Sequence, residues 1–249
     1  MKEAEYRRVY EAEEAQWWYA GMRAIGQALL ERPLSGLAEG GARRLAILDA
    51  GCGTGGNLAH LARWGRAVGI DLSTDALAFC RERGVAAARA GLLALPFAAS
   101  TFDGVTSLDV VYHAWVADDR AATREMARVL RPGGLMLVRV PALRLLWGGH
   151  DAEVLSRHRY TRAELRALLE DSGIEVLRIT YGNFFLFPVV LLRRTLDRLT
   201  GRVGSDVAFL PAPLERAFRG LLELEAALVR RGISLPVGAS VIALGRKPS

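Results

Sequence analysis

Lysine is nearly missing from this 249-residue chain: of its 33 basic residues only Lys2 and Lys247 are lysines, and the arginines are set among 27 acidic residues. A net charge of +6 would suit nucleic acid or an anionic membrane surface. The arginines alternate with glutamates at helical spacing and gather in no single tract, which argues against nucleic acid. Cysteine is equally scarce. Cys52 and Cys80 have no metal-ligand spacing, are expected as reduced thiols, and leave no basis for a metal site. No apolar run is long enough to span a bilayer, and Met1-Lys-Glu-Ala-Glu-Tyr-Arg-Arg8 lacks the apolar core of a signal peptide, so a cytoplasmic location is expected.

What is present is a chain that is 51% hydrophobic, enough to bury a full core as one domain. It is organised around Leu45-Ala-Ile-Leu-Asp-Ala-Gly-Cys-Gly-Thr-Gly-Gly-Asn-Leu58, where a strand buried on both faces breaks into glycines and resumes as a helix. Gly51, Gly53, Gly55 and Gly56 remove the Cβ atoms that would keep a ligand from the backbone, and the next helix opens with free N–H groups. Gly51-x-Gly53-x-x-Gly56, with Asp71 beyond, also fits a dinucleotide fingerprint, so the glycines alone leave the ligand open.

The rest of the chain alternates. One or two amphipathic helices over Glu3 to Leu30 precede a linker, Glu31 to Arg44. After the glycine loop come a strand ending at Asp71, a helix capped by Ser73 and closed by Gly84, a third strand near Val85 to Ala90, and a loop at Leu92 to Phe97. Phe102 to Leu108 is a fourth strand, Asp118 to Leu130 a helix, and Leu135 to Val140 a fifth strand. Thr161-Arg-Ala-Glu164 is a capping box opening a helix before a sixth strand, Ile174 to Tyr181, and Ala239 to Arg246 is the last strand. Strand-helix alternation calls for an α/β doubly wound, mainly parallel sheet with right-handed crossovers, and ligands then bind at the strand carboxyl ends. The organisation is a cap and linker over 1–44, a core over 45–181, a helical insertion over 182–238 and a last strand and tail over 239–249.

Asp49-Ala-Gly-Cys-Gly-Thr-Gly55, Gly69-Ile-Asp71, Leu95-Pro-Phe97, Phe102-Asp103 and Leu130-Arg-Pro-Gly-Gly134 follow one another in an order that resembles the class I S-adenosylmethionine-dependent methyltransferases, over roughly residues 45 to 141. The resemblance implies their seven-stranded Rossmann-like sheet and S-adenosyl-L-methionine as cofactor, leaving as S-adenosyl-L-homocysteine. It implies that Asp49 with the backbone of Gly51 and Gly53 holds the amino-acid end, that Asp71 holds the ribose, and that Leu72, Leu92 and Leu93 flank the adenine. Cys52 in the loop and Asp109 at the end of the fourth strand join the expected cofactor contacts. The chain departs from the family at Gly91, where many members place an acid.

The acceptor must be read elsewhere. Ser107-Leu-Asp-Val-Val-Tyr-His113 lacks the Asn/Asp-Pro-Pro-aromatic element of nucleobase amino-methyltransferases. His113, His150 and His158 are the candidate bases, since histidine titrates near neutral pH. Trp17, Trp18, Tyr19, Tyr160 and Phe184 are the candidate substrate contacts; adjacent aromatics on one helix cannot all face one core stripe. The apolar stretch Asn183 to Leu192 could wall a pocket, touch a membrane, form a homodimer or simply pack. The expectation is a small-molecule methyltransferase, preferring oxygen over carbon, on an apolar substrate. The alternatives are a non-catalytic cofactor-binding module acting through the insertion on a partner or membrane, and a nucleic acid methyltransferase.

Overall fold

The computed structural model describes residues 3–39, 44–200 and 210–249, with the side chains at 3–5, 150 and 153 excepted. Seven strands, β1 (Leu45–Ala50), β2 (Gly65–Asp71), β3 (Ala87–Arg89), β4 (Phe102–Leu108), β5 (Leu130–Pro141), β6 (Glu175–Gly182) and β7 (Ser240–Arg246), form one sheet in the order β3-β2-β1-β4-β5-β7-β6. Every neighbouring pair is parallel except those of β7, which runs antiparallel to β5 and β6. The carboxyl ends of β1, β2, β4, β5 and β6 therefore open on one edge. Ile47, Leu48, Val105, Leu135, Leu137 and Val140 are fully buried, as central strands covered on both faces require.

The described helices are α1 (Glu3–Ala15), α2 (Trp17–Glu39), α3 (Gly56–Leu61), α4 (Thr74–Glu82), α5 (Asp119–Val129), α6 (Gly149–Glu153), α7 (Arg162–Glu170), α8 (Phe187–Thr200) and α9 (Ala212–Arg230). Their boundaries follow the capping chemistry. The Ser73 hydroxyl accepts the Ala76 N–H, Asp118 accepts that of Ala121, and Thr161 and Glu164 close a reciprocal box.

Two expectations change. The linker shrinks, because α2 continues through Pro33 to Glu39. Leu30 and Leu34 are buried on this turn, and burial of about 1.5–3 kcal/mol each offsets the ~3 kcal/mol that an interior proline costs. β5 begins earlier, at Leu130, which pairs with Phe102 before the register jumps to Gly104 and Leu135, so Arg131-Pro-Gly-Gly134 bulges within the strand rather than preceding it. The second insertion helix, α9, takes Ala212 and Pro213 into its first turn. It is tied to the N-terminal cap. Leu222 fills the space beside Gly21 so closely that a Cβ there would lie 2.3 Å from its Cδ1, and the Trp17 N–H donates to Glu215 at 2.9 Å. Cap and insertion thus form one layer over the sheet.

Candidate active site

The glycine loop leaves β1 in a conformation that side chains would block. The N–H groups of Gly51 and Cys52 both donate to the Ile70 carbonyl, at 2.9 and 2.8 Å, which folds the loop against β2. Gly51 sits at φ +86, and a Cβ there would fall 2.4 Å from Val110 Cγ2. Gly53, at φ +54, is different: a Cβ would meet nothing within 4 Å, so the backbone faces open space. Two carboxylates flank the loop. Asp71 accepts the Gly53 N–H at 3.0 Å and the Ser73 N–H at 2.9 Å. Asp49 is buried, accepting Thr106 Oγ1 at 2.6 Å and, weakly, Asn57 Nδ2 at 3.4 Å. Burial pushes its carboxyl up to about 6 against the pull of those hydrogen bonds.

Cys52 does not join this set. Its N–H is spent on Ile70, and its thiol is buried with Leu58, Leu77 and Cys80, 3.9 Å from Cys80 Sγ. On the next side, Leu72 and Leu93 are exposed, and Leu72 Cδ2 lies 3.3 Å from where a Gly91 Cβ would stand. Both present apolar side chains to solvent, Leu72 directly after Asp71. Leu92 points into the core instead.

At the ends of β4 and β5 lies a pairing that the sequence reading missed. Asp109, at φ +59, accepts two hydrogen bonds from the buried Arg139, at 2.9 and 2.6 Å, and the Trp18 ring covers the guanidinium at 5.1 Å. A lone arginine inside Leu135-Met-Leu-Val-Arg-Val140 was the available signal. His113 stands beside them. Its Nδ1 meets the Val154 carbonyl at 2.8 Å, which assigns the proton to Nδ1 and a lone pair to Nε2. Burial lowers its pKa, while the Val154 hydrogen bond and the Asp109 and Asp71 carboxylates pull it back.

The remaining candidates separate. His158 is half-exposed, with its Nε2 3.2 Å from Glu164 of the α7 capping box, and its segment runs along the loop after β4 and the end of β5. Tyr160 is turned into the core, donating to Asp119 at 2.5 Å. The side chain of His150 lies outside the described residues, on α6. Trp17 packs edge-on against Phe218, and Tyr19 against Trp18. Phe184 contacts Phe185 just beyond β6.

Two acids missing from the sequence reading shape the site from behind. Glu13 of α1 accepts from Thr54 in the loop, pairs with Arg83 at 3.0 Å, and lies 2.5 Å from where a Gly56 Cβ would be, so α1 closes over the start of α3. Glu225 of α9, fully buried, accepts the N–H groups of Asn183 and Phe185 at 2.8 and 2.9 Å and fixes the turn after β6.

Residues 48–138 match the family profile described as "Methyltransferase domain". A fatty-acid O-methyltransferase of Mycolicibacterium smegmatis is 31% identical over 71% of this chain and 63% of its own length. The O-methyltransferase resE of Aspergillus sclerotiorum is 31% identical over 65% of this chain and 67% of its own. Among solved structures, an S-adenosylmethionine-dependent methyltransferase from Thermotoga maritima shares the fold with a TM-score of 0.58, at 20% identity and 97% coverage of both chains. The chain spans about half to two thirds of the length of such curated relatives.

Proposed function

The chain belongs to the class I S-adenosylmethionine-dependent methyltransferases, and on that premise we propose that it methylates an oxygen of an apolar small molecule. The donor set suits the cofactor. Open space at Gly53 admits it, Asp49 offers a counter-charge to its ammonium, Asp71 offers acceptors to its ribose hydroxyls, and Leu72 and Leu93 offer apolar faces to its adenine. The glycine loop belongs to this nucleoside rather than to a dinucleotide.

When bound, S-adenosylmethionine supplies a methyl group on a sulfonium, already an activated electrophile. The protein must mainly align the acceptor. Alignment can supply about 7–11 kcal/mol, against about 3–5 kcal/mol from the ~10²–10⁴-fold of a general base. The observation that carries the choice of oxygen is His113, a histidine whose Nδ1 is engaged by the Val154 carbonyl at 2.8 Å and whose ring feels the Asp109 carboxylate at the end of β4. Nε2 takes the proton of an acceptor hydroxyl as the new O–CH₃ bond forms. Trp18 over Arg139, with Trp17 and Phe184, supplies the apolar rim. Two O-methyltransferase relatives, one acting on fatty acids by its name, support the same reading.

The test is product analysis by mass spectrometry with methyl-labelled cofactor and a panel of long-chain fatty acids, phenols and quinols. An ether or ester methyl is expected. A new C–CH₃ bond, or cofactor binding without any O-methyl product across the panel, overturns the proposal.

A further inference from the structure

We propose that the outward face of α8 docks on an anionic lipid surface. The helix inverts the usual burial pattern. Its one buried residue among those described is Arg194, while Val189, Leu192, Leu196 and Leu199 are exposed at 52%, 61%, 50% and 79%. Positions 189, 192, 196 and 199 fall on one stripe of a helix, and 194 falls opposite. A covering helix would turn that stripe inward. Here the arginine faces inward instead, with Nη1 3.0 Å from where a Cβ of Gly148 would lie, and Arg198 donates to the carbonyls of Leu145 and Trp147, the latter at 2.8 Å. These contacts pin the polar side of α8 to the turn at Arg144–Leu146, where Leu145 is itself 50% exposed.

Charge and area choose the occupant. Arg193 borders the stripe and Arg144 is exposed on the adjoining turn, and the one acid of α8, Asp197, is paired with Arg193 at 3.8 Å. The whole chain carries +6. A second copy would meet this face with itself, because a two-fold contact is isologous, and would set arginine against arginine. The four aliphatic side chains of the stripe also offer on the order of a few hundred Å², short of the ~800 Å² per partner typical of a stable interface. A bilayer needs less: the stripe enters the headgroup boundary while the exposed arginines beside it reach phosphates. No described helix is long and apolar enough to cross a membrane, so the contact is with the surface.

The experiment is co-sedimentation of the full chain with vesicles of phosphatidylglycerol and phosphatidylcholine in equal parts, against phosphatidylcholine alone. Binding to the anionic vesicles should be roughly tenfold or more above the neutral ones, and should fall with salt, as arginines at a charged surface require. Leu192→Glu with Leu196→Glu should abolish it. Both positions are exposed, so cofactor affinity by calorimetry should stay at the parent value, which separates this proposal from the catalytic one. Protein left in the supernatant with anionic vesicles, or a double variant that pellets like the parent, overturns the proposal. So does a dimer in sedimentation velocity that the double variant dissolves without any vesicle binding, because the face would then belong to a second copy.

Discussion

Asp71 at the end of β2 accepts the backbone N–H of Gly53 at 3.0 Å, eighteen residues earlier in the chain. The carboxylate expected at the ribose therefore also sets the position of the loop expected at the amino-acid end. Removing it should disturb both. Asp71→Ala is expected to weaken S-adenosylhomocysteine binding by roughly 10- to 100-fold, the size of one or two lost hydrogen bonds to a charged group. Calorimetry decides, and an affinity within about threefold of the parent would remove Asp71 from the site.

Gly51→Ala tests the loop's shape. The new Cβ meets Val110 at 2.4 Å and the residue stays at φ +86. Two penalties are then superposed, a clash and a strained backbone costing of order 1–3 kcal/mol. Val110→Ala in the same chain should relieve only the first. Thermal melts of the single and double variants should show partial recovery; full recovery would mean that the backbone strain is negligible.

Asp49 links stability to binding. Burial raises its carboxyl from 3.8 to about 6, so between those pH values the folded chain holds a proton that the unfolded chain has lost. Stability from this group falls as pH rises through that window, and above pH 6 the full penalty, on the order of 3 kcal/mol, is in place. Asp49→Asn should remove it, raising the melting temperature at neutral pH and flattening the dependence between pH 4 and 6. Cofactor affinity should drop in the same variant, because the ammonium loses its counter-charge. A variant no more stable than the parent at pH 7 would contradict this account.

Local chemistry was legible in the chain and long-range pairing was not. The bounds of β4, the Ser73 cap and the Thr161 box were readable because each rests on residues a few positions apart. Arg139 with Asp109, Glu13 with Thr54 and Glu225 with Asn183 join residues 30, 41 and 42 positions apart, and only the fold brings them together. Polar clustering is harder to read for a related reason. His158 and Tyr160 look like a site in sequence, yet their neighbours turn one toward the α7 cap and the other toward Asp119. Pro33 misled because burial of Leu34 outweighs a proline's local preference.

Glu225 shows what such a long-range pair contributes. Truncation to alanine strips partners from the N–H groups of Asn183 and Phe185 at about 1–3 kcal/mol each. Glu225→Ala is therefore expected to lose on the order of 2–5 kcal/mol in denaturant unfolding. Glu225→Gln keeps one acceptor oxygen and should lose clearly less. Equal losses would mean that packing, not hydrogen bonding, is what Glu225 supplies.

His113 is the last and most mechanistic case. Its lowered pKa, caused chiefly by burial, keeps the ring neutral at pH 7, and the Val154 carbonyl holds the proton on Nδ1. Asparagine at this position keeps a donor near Nδ1 and deletes Nε2. If Nε2 is the base, His113→Asn should lower kcat roughly 10²–10⁴-fold on a hydroxyl acceptor while KM changes little. The parent's kcat should fall only once pH drops below the usual histidine range near 6.5, because a lowered pKa shifts the acid limb downward. That limb should be absent from the residual activity of the variant. A carboxylate acceptor is already ionised and needs no base, so with a fatty acid the same substitution should leave kcat nearly unchanged; a comparable loss on both acceptors would reduce His113 to a structural neighbour of Val154.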